Sequence, residues 1–365
     1  MREISNRDVL IWLNSLKIGN KNIENIMEQV PQLTDIWTFS SSQIYNLKGI
    51  KPKIKEKMAL NRNRDYIEKI FIDIDKHNIN VITIFDKEYP RNLCHIYDSP
   101  KVLYTKGEII EEDNLSIAVV GSRKATSYGK WATGKFVKEL VKLDVTIVSG
   151  LALGIDGIAH KIALEENGRT IGVLGNGLDI VYPRRNKDIY EEIPNKGAII
   201  TEYFLGVPPL AYNFPQRNRI ISGLSLGVIV IEAKERSGSL ITAHHALEQG
   251  KEVFSLPGNI NSIFSKGTNK LIKDGAKLIM DIDDIIEEVY ELQKKIKIKK
   301  EKDIDYSELS SLEIKVLELI KEGPIHCDSI AFITGLDIST IYSVLTILEL
   351  KGMIKELTGR TFTLS

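Results

Sequence analysis

Gly121-Ser-Arg is a short segment whose residue types suit the binding of a phosphate group. It follows an apolar run and precedes a helical pattern, so backbone amides at a helix start, the Ser122 hydroxyl and the Arg123 guanidinium could converge on one anion. The same triplet also fits a purely structural turn, and the residues alone leave both interpretations open.

A second segment, Phe214-Pro-Gln-Arg-Asn-Arg, combines two cations with an aromatic ring. Arg217, Asn218 and Arg219 lie at the start of a predicted helix, where the helix dipole also favours an anion. Basic groups for a sugar-phosphate backbone and a ring for a base are the ingredients of single-strand binding. The alternative is a cluster of salt bridges at a helix start.

Candidate catalytic residues are few. Asp156 and His160 are four residues apart on a predicted helix and share a face, whereas His244 and His245 are adjacent and cannot. A helix cap for Asp156 and a satisfied, buried imidazole for His160 are the favoured interpretations. The segment Ser237-Gly-Ser-Leu-Ile-Thr has no identifiable base for a nucleophilic serine, so it is predicted to cap a helix that could also touch an anion. We predict no catalytic residue and no metal site.

Two common nucleotide-binding motifs are missing from the sequence. No Gly-x-x-x-x-Gly-Lys-Ser/Thr occurs, which excludes a P-loop nucleoside triphosphatase. The first turn between a strand and a helix, residues 121–129, is not Gly-x-Gly-x-x-Gly, and the second predicted strand ends in Val-Ser-Gly without an acidic residue for a ribose. The sequence therefore predicts phosphate recognition without a bound cofactor.

Residues 80–290 alternate strand and helix patterns. Repeated β-then-α order predicts a parallel sheet covered on both faces, hence an α/β protein with an extended Rossmann-like core. Several apolar runs end in Gly-rich loops, and open α/β sheets bind ligands at the carboxyl ends of their strands. The predicted strands are Ser116–Val120, Val145–Val148, Thr170–Leu174, Ala198–Ile200, Val228–Ile231 and Glu252–Leu256.

Residues 1–75 predict an N-terminal helical domain, SAM-like or helix-hairpin-helix-like. Its first 64 residues carry eleven Lys/Arg and six Asp/Glu. A weak internal echo, Leu16-Lys-Ile-Gly against Leu47-Lys-Gly-Ile, places a glycine turn between helical pieces in each copy. Such hairpins either present a helix start and lysines to a phosphate or are plain αα-hairpins with solvated lysines.

The C-terminal part predicts a joint and a small separate domain. An acidic helix, Asp281–Glu291, leads into a charged linker at 291–306. Residues 307–365 show helical spacing over Ser311–Ile320, Ser329–Thr334 and Ser339–Leu350, followed by two short β-like stretches. Three helices and a hairpin are typical of a winged-helix domain.

The overall composition gives no global sign of a nucleic-acid partner. Lys+Arg and Asp+Glu both number 49, so DNA affinity has to come from a local patch. Cys94 and Cys327 are far apart, without a CxxC or Cys/His cluster, and are predicted to be ordinary buried thiols in a reducing cytoplasm. No membrane segment is predicted, because the longest apolar run, Ile220–Ala233, is short and interrupted.

A series of loop motifs occurs in one order between residues 115 and 280. The series includes Ala118-Val-Val-Gly-Ser-Arg, Ser149-Gly-Leu-Ala-Leu-Gly-Ile-Asp-Gly, Phe214-Pro-Gln-Arg-Asn-Arg-Ile-Ile-Ser, Ser237-Gly-Ser-Leu-Ile-Thr-Ala and Gly267-Thr-Asn-Lys-Leu-Ile-Lys-Asp-Gly-Ala. In this order the motifs resemble the DNA processing protein A family, also called DprA or Smf. The helical N-terminus and the winged-helix C-terminus match that family's usual layout.

The resemblance implies a protein that binds single-stranded DNA, forms a homodimer through its core and has no enzyme activity. It further implies a recombination mediator in natural transformation, which protects incoming strands, displaces single-strand binding protein and loads RecA recombinase. Matched by motif, the first segment would hold phosphate and the second would continue that pocket. The predicted DNA-binding residues are Ser122, Arg123, Gly150, Phe214, Arg217, Asn218, Arg219, Ser237, Gly238, Lys266 and Asn269.

The sequence also has features of two other classes of protein. One is a nucleotide phosphoribohydrolase of the lysine-decarboxylase-like group, but that group's catalytic Glu would fall on Thr242. The other is a winged-helix transcription regulator, but its candidate recognition helix has no Arg or Lys before Lys351, and groove reading depends on such side chains.

Overall fold

The computed structural model describes residues 3–302 and 309–364, so residues 303–306 of the predicted linker and 307–308 of the predicted C-terminal domain lie outside the described residues. The chain divides into two compact units between Val289 and Tyr290.

Helices at the N-terminus of the first unit share one apolar core with the sheet that follows. Trp12 is fully buried; its ring meets Trp37 edge-on at 5.4 Å between centroids, and its indole nitrogen donates to the Asn61 carbonyl. The same cluster of buried side chains includes Tyr104 and Leu151. The predicted boundary at residue 75 therefore does not separate two cores. The helices are α1 (Asn6–Ser15), α2 (Asn20–Gln29), α3 (Asp35–Thr38), α4 (Ser41–Tyr45), α5 (Pro52–Asn61) and α6 (Arg64–Lys76).

Nine strands form the sheet of the first unit. They are β1 (Asn80–Thr83), β2 (Val102–Gly107), β3 (Ser116–Val120), β4 (Thr146–Ser149), β5 (Thr170–Val173), β6 (Gly197–Thr201), β7 (Gly227–Val230), β8 (Glu252–Ser255) and β9 (Lys277–Leu278). Their order is β1-β2-β6-β5-β4-β3-β7-β8-β9. All six predicted strands are confirmed within two residues at each end. The sequence missed β1 and β2, which are antiparallel to their neighbours, and the two-residue β9; every other pairing is parallel.

Helices cover both faces of the sheet, as alternation along the strands requires. On β6, Ile199 joins the cluster that contains Leu164, whereas Ala198 and Ile200 join the cluster that contains Ile220 on the opposite face. The helices of this part are α7 (Ser127–Lys142), α8 (Ile155–Glu165), α9 (Lys187–Glu192), α10 (Asn213–Leu224), α11 (Gly238–Glu248), α12 (Lys266–Lys273) and α13 (Asp283–Ile286).

The chain reverses direction across the sheet on either side of β3. From β3 it proceeds outward through β4, β5 and β6, and α10 then returns it to β7 on the other side of β3. The loops that follow β3 and β7 therefore diverge, which opens a crevice at the carboxyl ends of these strands.

The second unit begins with a helix where the sequence predicted a linker. α14 (Tyr290–Lys302) covers most of residues 291–306, and the predicted acidic helix over 281–291 is split between α13 and α14. The winged-helix pattern is confirmed, with one added short strand. Its elements are α15 (Ser311–Lys321), β10 (Ile325–His326), α16 (Cys327–Thr334), α17 (Ile338–Leu350), β11 (Ile354–Leu357) and β12 (Thr361–Leu364).

Within residues 3–302 and 309–364 no single helix is long and apolar enough to cross a membrane. Of the helices in these ranges, only α16 and α17 taken together, bent by 116°, reach that length and composition.

The shared core predicts that the N-terminal helices and the sheet unfold together. Trp12→Ala should lower the free energy of unfolding of the whole first unit by about 3–5 kcal/mol, because it removes a large, fully buried side chain. Urea unfolding followed by hydrogen exchange of β4 and β5 amides measures this. Leu60→Ala, at a side chain 72% exposed, is the control. Unchanged protection of the strand amides in Trp12→Ala would show instead an independent helical domain.

Candidate functional site

A cavity of about 420 Å³ lies at the carboxyl ends of the strands, between the loops that follow β3 and β7. Gly121 to Lys124 form one wall, Lys234 and Arg236 to Ser239 form the other, and α10 contributes Phe214, Arg217 and Asn218. This is the crevice that the change in strand order creates, and it is where the sequence predicted a ligand.

Positive charge dominates the lining of this cavity. Its cationic side chains are Arg123, Lys124, Arg217, Lys234 and Arg236, and Asp156 is the one acid among its lining residues in the described part of the chain. Four of the cations are exposed and only Arg217 is buried. A chain with equal numbers of acidic and basic residues thus concentrates cations at one place, which favours an anionic ligand.

Arg217 lies at the bottom of the cavity, and its guanidinium is hydrogen-bonded to other groups of the protein. It is 4% exposed, its Nη1 donates to the carbonyls of Gly150, at 2.9 Å, and Val173, and its Nε donates to Asn218 Oδ1 at 3.2 Å. Burial lowers the pKa of Arg217 to about 10, so the guanidinium remains protonated at neutral pH. The sequence predicted a phosphate ligand here, but the structure shows that this cation also joins the ends of β4 and β5.

Asp156 lies beside Arg217 and joins two loops. Its carboxylate accepts the amides of Gly121 and of Gly150, the latter at 3.2 Å, so it fixes the ends of β3 and β4 and does not cap its own helix as predicted. Burial raises the pKa of Asp156, while the charge of Arg217 opposes that rise. Gly150 is required between them, since a Cβ there would lie 2.7 Å from Arg217 Nη2 and 2.8 Å from Asp156 Oδ2.

Glu232 fixes the loop after β3 to the end of β7. Its carboxylate accepts the backbone amide of Thr126 at 3.0 Å and the Thr126 hydroxyl. Glu232 is 3% exposed, so these hydrogen bonds form a buried connection between the end of β7 and the loop after β3. Asp156 and Glu232 therefore both bind backbone amides of the loop after β3, at Gly121 and Thr126.

Phe214 was predicted to lie beside Arg217 and Arg219, and the structure places its ring beside Arg217 and Arg123 instead. The guanidinium carbons of Arg123 and Arg217 lie 5.7 and 5.9 Å from the Phe214 ring centroid. Tyr182 approaches the same ring at 5.6 Å between centroids. A smaller cavity of about 50 Å³ lies between Tyr182, Phe214 and the loop from Gly150 to Leu153.

Ser122 lines the cavity, but its hydroxyl is occupied within its own turn. Its Oγ accepts the Lys124 amide and donates to the Lys124 carbonyl, both at 3.1 Å. The serine therefore shapes the turn, and Arg123, which follows it, is exposed towards the cavity.

Four predicted site residues do not line this cavity. Gly150 lines the smaller cavity beside Phe214 instead. Arg219 is bound on the other side of α10 by Glu202, with Nη1 2.6 Å from Oε1, and by Asp98 at 3.4 Å. Side chains two positions apart on a helix point in widely different directions, so Arg217 and Arg219 cannot share one pocket. Lys266 is exposed at the start of α12, and Asn269 is bonded to both the amide and the carbonyl of Gly258.

Ser237 and Gly238 are correctly placed in the cavity wall. Ser237 is the N-cap position of α11, but its side chain makes no cap hydrogen bond; its Oγ lies 2.8 Å from Ser239 Oγ. Asn218 donates to the Gly238 carbonyl at 3.2 Å and so connects α10 to this wall.

His160 is the satisfied, buried imidazole that the sequence predicted. It is fully buried, its Nε2 accepts the Leu151 amide at 3.3 Å, and its Nδ1 lies 2.7 Å from the Thr170 hydroxyl. Burial, together with the positive charge of Arg217, lowers its pKa to about 3. A neutral imidazole with both nitrogens occupied cannot act as a base towards Ser237 or Thr242.

Lys124, Lys234 and Arg236 are the lining cations that sequence reasoning missed. Each lies within a few residues of the end of β3 or β7, where a ligand was expected. Their position just after a strand end could therefore have identified them as candidate ligand-binding residues. Isolated lysines in loops are otherwise too common to be assigned.

The cysteine predictions need two corrections. Cys94 is exposed, and Cys327 is buried as predicted. His326, Cys327 and Asp328 do cluster, with their donor atoms within 4.8 Å of one another, because all three lie at the start of α16. Cys327 Sγ is 3.3 Å from the Tyr342 hydroxyl, and His326 Nδ1 accepts the Asp328 amide at 3.2 Å, which is a helix-capping arrangement.

Comparison with known proteins identifies relatives over most of the chain. The family model for DNA recombination-mediator protein A matches residues 80–290, and that for the DprA winged helix domain matches residues 301–360. Protein Smf of Escherichia coli is 48% identical over 225 residues, which are 61% of this chain and 60% of that protein. The chain thus spans about three fifths of the length of this relative.

Two solved structures resemble the chain. DNA processing protein A from Streptococcus pneumoniae has a TM-score of 0.68 at 36% identity and covers 79% of this chain and 99% of that one. The structure of DNA processing protein A from Helicobacter pylori, described as showing a unique single-stranded DNA binding mode, has a TM-score of 0.52 at 35% identity and covers 57% of this chain and 94% of that one.

The contacts of Arg217 predict that its replacement destabilises the fold. Arg217→Met removes donors from the buried carbonyls of Gly150 and Val173 and leaves Asp156 without its neighbouring charge, at a cost of about 3–5 kcal/mol in the free energy of unfolding. Urea unfolding of the variant measures this. The double variant Arg217→Met/Asp156→Asn should recover part of the loss, because the uncompensated charge is gone. A single variant as stable as the parent protein would contradict the structural role.

Proposed function

The chain belongs to the DNA recombination-mediator protein A family, and from this premise we propose that it binds single-stranded DNA in the cavity between the β3 and β7 loops. One observation carries the proposal: four exposed cations surround an accessible aromatic ring at the carboxyl edge of the sheet. Cations suit the phosphates and the ring suits an unpaired base.

The arrangement favours a single strand over a duplex. Phe214 is partly buried at the cavity wall, so a base reaches its face only after leaving a base-paired stack. In a duplex the bases are stacked on each other, and extracting one costs a few kcal/mol. The Helicobacter pylori relative, described as binding single-stranded DNA, supports the same ligand.

Recombination mediation is the role we propose for this binding. It comprises protection of incoming strands during natural transformation, displacement of single-strand binding protein and loading of RecA recombinase in the cytoplasm, and membership of a recombination-mediator family supports it. We also propose a homodimer formed through the first unit. Exposed apolar side chains at the β9 edge, Leu278 and Met280, support this, together with Trp131 on the adjacent α7.

We propose that the site binds without turnover. Asp156, the one acid among its lining residues in the described part of the chain, accepts hydrogen bonds from two loop amides. Thr242 lies where a phosphoribohydrolase of the lysine-decarboxylase-like group would need a glutamate. An assay for ribose release from nucleoside monophosphates tests this directly.

Arg123 is the residue expected to matter most for affinity without affecting stability. Arg123→Ala should weaken binding of a labelled single-stranded oligonucleotide by about tenfold to hundredfold, because a charge-assisted phosphate contact contributes about 1.5–3 kcal/mol. The slope of log affinity against log salt should fall by about 0.7. Fluorescence anisotropy over a salt series measures both quantities.

Arg91→Ala is the matched control, since the Arg91 side chain is 82% exposed and outside the cavity. The parent protein should bind duplex DNA of the same length much more weakly. Equal affinity for duplex and single strand, or an unaffected Arg123→Ala protein, would contradict the proposed function.

The winged-helix unit is predicted to be dispensable for strand binding. The outer face of α17 presents Ser339, Ser343, Thr346, Ile347 and Leu350, and none of these exposed residues is a cation. A chain ending at Val289 should keep single-strand affinity within about threefold, since each lost phosphate contact would cost more than that. The same anisotropy titration tests this, with circular dichroism to verify folding. A folded truncated protein that no longer binds would place part of the site in the second unit.

A further inference from the structure

A second cavity, of about 210 Å³, lies between the N-terminal helices and the start of α10. Lys17, Ile18 and Gly19 of the α1–α2 loop form one side, and the segment from Glu202 to Val207 forms another. Tyr212, which is 62% exposed, stands at its edge. The function proposed above uses none of these residues.

This cavity and the cation-lined one lie on different faces of the first turns of α10. Asn213 and Gln216 line the second cavity, whereas Phe214, Arg217 and Asn218 line the first. With 3.6 residues per turn, the centres of these two sets are about 120° apart around the helix axis. Ala211 and Tyr212 are consecutive and exposed, and one lines each cavity, so the chain before α10 forms a short bridge between them.

The chemistry of the second cavity suits nucleotides. Lys17 is exposed there, and Lys57 Nζ lies 3.4 Å from the adjoining Leu16 carbonyl, so two ammonium groups are close to the loop. The acid in this cavity, Glu202, is neutralised by Arg219 and accepts a bond from Asn20 at 2.8 Å. An exposed tyrosine ring beside cations matches the stacking platform of single-strand sites.

We propose that the single strand held in the first cavity continues over Ala211 and Tyr212 into the second cavity. A base stacks on the Tyr212 ring, and Lys17 contacts the following phosphate. The N-terminal helices thereby form part of the DNA path and contribute more than apolar packing. The proposal rests on the proposed function, because it extends the same bound strand.

The test is a length series of oligothymidines titrated against four full-length proteins by fluorescence anisotropy. The proteins are the parent chain, Tyr212→Ala, Lys17→Gln and the double control Tyr97→Ala/Lys53→Gln, whose tyrosine is 84% exposed and whose two residues line neither cavity. Short oligomers that fill only the first cavity should bind all four proteins equally. Longer oligomers should bind Tyr212→Ala about tenfold more weakly, the loss expected for one stacked base.

Lys17→Gln should lower the salt slope by about 0.7 with long oligomers and leave it unchanged with short ones. If the parent protein binds no oligomer, the proposed function fails. Suppose instead that the parent protein binds and its affinity rises with oligomer length. If Tyr212→Ala and Lys17→Gln then have the same affinity as the parent protein at every length, the strand leaves the first cavity by another route and this inference is overturned.

Discussion

The arrangement of the site depends on one buried cation, Arg217. Its guanidinium binds carbonyls at the ends of two parallel strands and lies beside the Asp156 carboxylate, which in turn holds the amides of Gly121 and Gly150. A charge in this position is costly to bury unless its hydrogen bonds are made. Because the bonds run to backbone groups of three loops, the loops cannot move independently of α10. Arg123 and Lys124, in the loop after β3, are positioned by this framework.

The same helix is held from its other face by a second buried pair. Arg219 binds Glu202, and Glu202 also accepts Asn20, while the Glu202 carbonyl accepts Asn14. This network joins the N-terminal helices to α10, as the shared apolar core joins them to the sheet. α10 therefore has one arginine on the sheet side and one on the helical side. A helix fixed on both faces is a suitable rigid element for presenting Phe214 to a ligand.

The sequence predicted the elements whose pattern is long and periodic, and it predicted where the strands would place a ligand. It failed where a residue's role depends on a distant partner. Arg217 and Arg219 look equivalent in Phe214-Pro-Gln-Arg-Asn-Arg. Only the position of Val173 directs Arg217 into the cavity, and only the position of Glu202 directs Arg219 into an ion pair on the side of the N-terminal helices. Asn269 similarly binds Gly258, eleven residues away. β1 and β2 were not predicted because they are antiparallel strands at one side of the sheet, outside the repeated β-then-α order.

The distribution of charge accounts for how a chain of zero formal charge would bind a polyanion under the proposed function. Exposed cations attract phosphate only over about 8 Å at physiological salt, and beyond that distance the protein's equal numbers of acids and bases cancel. Four exposed cations around one crevice repel each other in the free protein, and a bound phosphate relieves that repulsion. At the crevice a duplex cannot offer an unpaired base to Phe214. Under the proposed function, selectivity for a single strand arises because the positive charge lines a crevice that suits a flexible strand.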